Sequence, residues 1–142
     1  MRLGYHFIKV ISGNLNTYRY GLSPRRVAIR TYPSTIVGGH YGGDFHPDRI
    51  RIWVGIDKDG KWPKYHCKTE LWDRTSDGHR KRLHKTFVFS HIEDLVLGIF
   101  CHEYGHFLDE HDGVKRDELI TDLFAAGELE EAHGFQSELE LE

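Results

Sequence analysis

Covalent bracing is almost missing from this chain: its 142 residues hold two cysteines, Cys67 and Cys101, with no close pair. Two unpaired thiols fit a reducing, cytoplasmic setting and exclude a secreted disulfide scaffold. Long apolar runs are missing too. None approaches the roughly 18 residues that a membrane span requires. Met1 to Val10 lacks a basic start followed by an apolar stretch, so no signal peptide is expected. Internal repeats are absent, and the one compositionally biased stretch is at the C-terminal end.

What is present suffices for a core: 39% of residues are hydrophobic and 29% charged, with a net charge of −3. The length bounds the chain to one domain, or one domain with an appendage. From Glu128 to Glu142 there are six Glu and no Lys or Arg, and residues 1–127 without them carry +3. We therefore expect a domain over 1–127 and an acidic, solvated and flexible tail over 128–142.

The first ninety residues read as strands and loops. Tyr5–Ile11 and Val27–Tyr32 are candidate strands. Gly38-Gly39-His40-Tyr41-Gly42-Gly43 lacks the GxGxxG spacing and reads as a flexible turn. Arg49–Ile56 begins with strict alternation and should bury Ile50, Ile52 and Val54 on one face. Asp57-Lys58-Asp59-Gly60 signals a tight turn, so the next strand, near Lys64–Leu71, should return as a hairpin. Asp57 and Asp59 imitate the start of a calcium loop, but its later ligands are missing. A polar loop over Asp73–Lys85 should precede a last short strand, Thr86–Phe89. Its basic run, residues 79–85, is a candidate polyanion contact, although a solvated hairpin tip is the favoured reading. Trp53, Trp62 and Trp72 read as packing residues rather than a binding cage.

Two helices should follow. Ser90 to Glu93 has the spacing of a capping box, and Gly113 is the natural stop for a helix begun there. The second helix should run from near Lys115 to Ala126, with Leu119, Ile120, Leu123 and Phe124 at helical spacing. Strands followed by helices define an α+β class.

The first of these helices contains His102-Glu103-Tyr104-Gly105-His106. Histidines at i and i+4 lie one turn apart on one face, so both imidazoles can reach a single metal ion. Glu103 falls about 80° around the helix from their midpoint, at the rim, where a carboxylate can serve as a base without ligating. Tyr104 points to the core side, and Gly98 and Gly105 share a flank that admits a close neighbour. A bare HExxH arises by chance in roughly one chain in twenty of this composition, so its context decides. The motif interrupts the most hydrophobic helix of the chain, where two His and a Glu would be costly without a metal.

A catalytic zinc needs a third protein ligand and an open position for water. If the helices form an antiparallel hairpin turning near Asp112, residues equidistant from it face each other. That pairs His106 with Glu118 and His102 with Asp122. Glu118 is then placed as third ligand, and Asp122 to accept the second N–H of His102. Asp112 is the alternative third ligand. That arrangement normally has Gly three residues after the second His, where this chain has Asp109. His111 would require an early helix break.

His102 to Leu108, followed by Glu118 to Ala126, resembles the gluzincin metallopeptidases, and is most similar to the compact minigluzincin and ImmA/IrrE-like domains. The resemblance implies a zincin-like fold: a small, mostly antiparallel sheet over residues 1–90, then an active-site helix and a second antiparallel helix. It also implies one zinc held by His102, His106 and Glu118, with Glu103 as general base. The expected activity is hydrolysis of a peptide or protein substrate, with Thr86–Phe89 as an edge on which an extended peptide pairs. The alternatives are a silent or latent zinc-binding module, with the tail, His133 or Cys67 filling the cleft, and a protein that contacts nucleic acid through residues 79–85. No membrane partner is expected.

Overall fold

The computed structural model describes residues 24–47, 49–115 and 117–141; the candidate strand Tyr5–Ile11 lies outside them. The architecture is α+β. Among the described residues, six strands precede or flank two helices: β1 (Arg26–Pro33), β2 (His40–His46), β3 (Arg49–Ile56), β4 (Tyr65–Arg74), β5 (Arg80–Phe87), α1 (Ile92–His111), α2 (Glu118–Gly127) and β6 (Glu138–Leu141). A π-helical turn, Glu128–Ala132, continues from α2.

The strands form two three-stranded sheets rather than one, ordered β1-β3-β2 and β4-β5-β6. Pairing is mostly antiparallel, with β1 and β3 the parallel exception. This overturns the hairpin expected after Asp57–Gly60. Strand β3 already has β1 on one side and β2 on the other, so it offers β4 no edge. The turn itself forms: Asp57 accepts from the backbone N–H of Gly38, Asp59 and Lys61. The chain then crosses to the second sheet, where Trp62 Nε1 donates to the Phe89 carbonyl at 3.1 Å.

The glycine-rich stretch is only half a turn. Gly38 and Gly39 adopt φ of 83° and 82°, but His40 to Gly43 are strand. Gly43 is needed there because a Cβ would meet Ile99 Cγ2 at 2.8 Å and Glu103 Cγ at 3.1 Å, both on α1. The alternation of β3 buries Ile50, Ile52 and Val54 completely or nearly so, against the helix.

The expected polar loop over 73–85 is instead the distal half of a long hairpin. Strand β4 runs to Arg74 and β5 starts at Arg80, with Trp72 opposite Arg82 beyond a bulge. Arg80 and Arg82 lie over the Trp72 ring, at 5.0 and 4.6 Å from its centroid.

Helix α1 begins one residue later than the capping-box spacing implies. His91 holds the N-cap position without a side-chain cap, which puts Glu93 one position short of where the box requires it. Gly113, φ 69°, ends the turn after α1, and Asp117 caps α2 through the N–H groups of Leu119 and Ile120. Tyr104, Phe100, Leu95 and Val96 of α1 are fully buried. No helix among the described residues is long and apolar enough to cross a membrane. Cys67 and Cys101 are both buried and unbridged.

The acidic end is not a free tail. Leu129 is fully buried in the core, and Phe135 packs edge-on against Phe89 at 5.0 Å. Glu138–Leu141 pairs antiparallel with β5, so that Glu140 faces His84 and Glu138 faces Thr86. The count of glutamates concealed this order, because the leucines between them have the two-residue period of a strand. Lysines supply the countercharge: Lys85 of β5 pairs with Glu130, and Lys64, just ahead of β4, with Glu140 at 3.6 Å.

Candidate metal centre

Helices α1 and α2 meet at their glycine flank. A Cβ on Gly105 would lie 2.9 Å from Thr121 Cγ2 and 3.1 Å from the Phe124 ring, so only glycine permits this approach. Gly98 admits the Tyr65 ring at 3.2 Å in the same way.

The approach brings His102, His106 and Glu118 into one cluster, with one potential ligand atom from each inside a 4.8 Å span. Glu118 bridges the two rings: Oε2 lies 2.9 Å from His102 Nε2 and Oε1 lies 3.1 Å from His106 Nε2. The rings stand nearly perpendicular, at 88°, with centroids 4.8 Å apart. For ligand bonds of about 2.0–2.1 Å, a tetrahedral ion separates neighbouring donors by about 3.3 Å. The 2.9 and 3.1 Å pairs need open by only a few tenths of an ångström, and the widest pair, inside the 4.8 Å span, must draw in by up to about 1.5 Å to fit.

The far nitrogens are equally constrained. His102 Nδ1 is 2.7 Å from Asp122 Oδ1, and the other oxygen of Asp122 accepts from the Lys68 backbone N–H at 2.8 Å. Thr121 Oγ1 donates to the Asp117 carbonyl at 2.8 Å, which leaves the same oxygen to accept from His106 Nδ1 at 3.2 Å. Each Nδ1 thus carries a proton, and each Nε2 is directed at the common point. Two histidines with fixed tautomers and one carboxylate form a donor set that can hold a divalent metal ion.

Asp112 does not join them. It is the C-cap residue of α1, with Oδ1 3.3 Å from its neighbour His111 Nδ1, and both side chains are exposed. Glu103 is 5% exposed and pinned between α1 and Gly43 of β2. With His102, Glu118, Asp122, Tyr41, Tyr65, His66 and Lys68, it lines a cleft of about 240 Å³. No residue of the C-terminal strand or π-helical turn lines that cleft, nor does Cys67 or His133.

Burial lowers the pKa of His102, but the bond and charge of Asp122, with Glu103 and Glu118, outweigh it and raise the net value. Burial raises Tyr41, against the His66 backbone N–H that its oxygen accepts at 3.3 Å. The Tyr41 phenol therefore keeps its proton. Burial, aided by His84, lowers His66 and keeps it neutral. Burial also pushes the Cys67 thiol far up, out of the thiolate range.

The strand expected to offer a free edge, Thr86–Phe89, does not. Thr86 sits in β5, flanked by His66 of β4 and Glu138 of β6. Two sheet edges border the cleft: β2, with Tyr41 and Gly43, and β4, with Tyr65, His66 and Lys68. The outward N–H groups of β4 at His66 and Lys68 already donate to Tyr41 and Asp122, so β2 is the edge that can receive a further strand. Sequence reasoning missed Thr121 and Tyr41. Thr121 carried a signal, since it lies three residues after Glu118 on the same helical face. Tyr41 carried none, because its place depends on how a glycine-rich segment pairs. Comparison of the chain with protein-family models, with curated proteins and with solved structures found no match in any of the three.

Proposed function

We propose that this protein is a zinc-dependent hydrolase that cleaves peptide bonds, with His102, His106 and Glu118 as ligands. The observation that carries the reading is the convergence of both Nε2 atoms on one carboxylate while both Nδ1 atoms are held by Asp122 and Thr121. Two nitrogens and one oxygen, with a cleft beside them, are the donor set of a catalytic zinc rather than of a closed four-ligand structural site. Zinc, when bound, supplies the Lewis acidity that acidifies water and polarises a carbonyl.

The remaining steps belong to the chain. Glu103, buried at the cleft wall, takes a proton from the attacking water and passes it to the leaving amine. Tyr41, protonated and in the same cleft, is the donor for the charge that develops on the carbonyl oxygen. An extended substrate lies along the outer edge of β2, its backbone pairing with that strand.

Zinc content by elemental mass spectrometry, beside peptide turnover, tests this. The parent should hold about one zinc per chain, and Glu118→Ala should lose it. Glu103→Gln should keep the metal and lose turnover by at least about 10²-fold. A Glu103→Gln variant that cleaves as fast as the parent defeats the mechanism. Zinc bound equally by Glu118→Ala defeats the ligand set.

A further inference from the structure

The outer face of the first sheet carries chemistry that the cleft does not use. Cross-strand partners share a face, so the register sets Arg26, Arg49 and His46 in one row, on the side away from the buried Ile50, Ile52 and Val54. The next row is Ala28, Arg51 and Asp44, and the third is Arg30, Trp53 and Gly42. Asp44 is the only carboxylate in these rows, and both of its oxygens bind Arg51. Arg26 and Arg49 stand directly opposite each other, an arrangement that repels unless an anion lies between them. With Arg25 and His46 they line an open pocket of about 450 Å³.

The charge of the sequence is divided in the same sense. Residues 1–51 hold eight Arg and Lys against Asp44 and Asp48, a charge of +6, so the rest of the chain carries −9. Such a segregated charge selects polyanions.

Two aromatic rings lie flat within the same face. A Cβ on Gly42 would be 2.5 Å from two atoms of the Trp53 indole, and one on Gly55 would be 2.9 Å from the Tyr32 ring. Each ring is therefore laid over a glycine. Arg30 lies 5.8 Å from the Tyr32 centroid, and a pocket of about 560 Å³ opens among Arg30, Tyr32 and Trp53. Flat rings among arginines match base stacking along a charged track. An acidic protein segment would use the charges but not the rings, and a duplex would not expose its bases. The basic hairpin is a weaker candidate, because two arginines, Arg80 and Arg82, cover its Trp72 ring, whereas a pocket opens beside Trp53 and Tyr32.

We propose that the outer face of the β1-β3-β2 sheet binds single-stranded nucleic acid, with phosphates on Arg26, Arg30 and Arg49 and bases on Trp53 and Tyr32. The test is fluorescence anisotropy of a labelled oligo(dT) of about 15 nucleotides with the full chain, across a salt series. The combined Arg26→Gln, Arg30→Gln, Arg49→Gln variant should weaken binding at least about tenfold and flatten the log–log salt slope by about 2. Trp53→Leu should weaken binding about fivefold or more with the slope unchanged, and Trp53→Phe should retain most of it. The combined Arg80→Gln, Lys81→Gln, Arg82→Gln variant removes equal charge from the hairpin and should stay within about twofold of the parent. If Trp53→Leu fails to fold by circular dichroism, the two charge variants decide alone. No binding at low salt, or equal loss in the hairpin variant, overturns the proposal. So does equally tight binding of poly-glutamate or of a duplex of the same length.

Discussion

Asp122 and Thr121 act on their histidines differently, and the difference can be measured. Asp122 brings a charge to His102, whereas Thr121 brings only a hydroxyl oxygen to His106. In the metal-free protein His102 should titrate above the ordinary value of about 6.5. In Asp122→Asn the lowering by burial loses its main opponent, so the midpoint should fall below that of the parent. Histidine NMR titration reads both, and an unchanged midpoint would mean that Asp122 does not set it. Thr121→Val leaves His106 Nδ1–H without its acceptor in a buried site. Zinc affinity should drop about 10- to 100-fold, since partners of this kind orient the ligand and strengthen it. The convergence of His102, His106 and Glu118 and the pairing of Asp122 with His102 were legible in the sequence, because helical spacing and one turn position set them. Tyr41 was not legible, because it reaches the cleft through a strand pairing that no local pattern encodes.

The sequence describes α1 closely and gives the bounds and buried face of β3, but not the partners of β3. The start signal at Ser90–Glu93 and the stop at Gly113 located α1 to within a residue or two, and alternation located the buried face of β3. The partners of β3 depend on contacts between residues far apart in the chain, and a strong turn signal at Asp57–Gly60 concealed that both of its edges are taken. The acidic end failed for another reason: composition averaged away the alternation in Glu138–Leu141 and the single buried Leu129. Leu129→Ala therefore tests the order of that segment. A fully buried leucine lost from a packed core costs about 2–5 kcal/mol, whereas in a solvated tail the change would cost nothing. Urea unfolding distinguishes the two. The helix pair makes a parallel demand at its glycines. Gly105→Ala drives a methyl into Thr121 and Phe124, and should cost about 1–3 kcal/mol and weaken zinc binding together. Gly98→Ala meets only the Tyr65 ring, at a longer 3.2 Å, and should spare the metal. If Gly98→Ala disturbed zinc as much as Gly105→Ala, the close approach of α1 and α2 would not be what assembles the ligands.

At the scale of the whole molecule, the His102–His106–Glu118 cluster runs outward from the core: His106 is buried, whereas the Glu118 side chain is half exposed. The apolar core around Ile50, Val54, Phe87, Phe100 and Leu129 is built from hydrophobic contacts, so the fold should survive chelation. Zinc bound at the proposed site should then stabilise by mass action, by roughly 4 kcal/mol at a thousand times its dissociation constant. The pH dependence of that gain has a definite sign. Without metal, the raised pKa of His102 means that its ion pair with Asp122 stabilises the fold at low pH. That contribution disappears as pH rises through the raised value. With metal, the Nε2 proton must leave before zinc can bind, so zinc affinity grows over the same range. The two effects act in opposite directions, and the gap between zinc-loaded and zinc-free melting temperatures should widen as pH rises from about 6 to about 8. Differential scanning calorimetry at both pH values, with zinc or with chelator, reads this directly. A gap that stays constant would mean that His102 does not exchange its proton for the metal. A collapse of the chelated protein would mean that the cluster is structural, which is the property that separates a brace between two helices from a site built to work on a substrate.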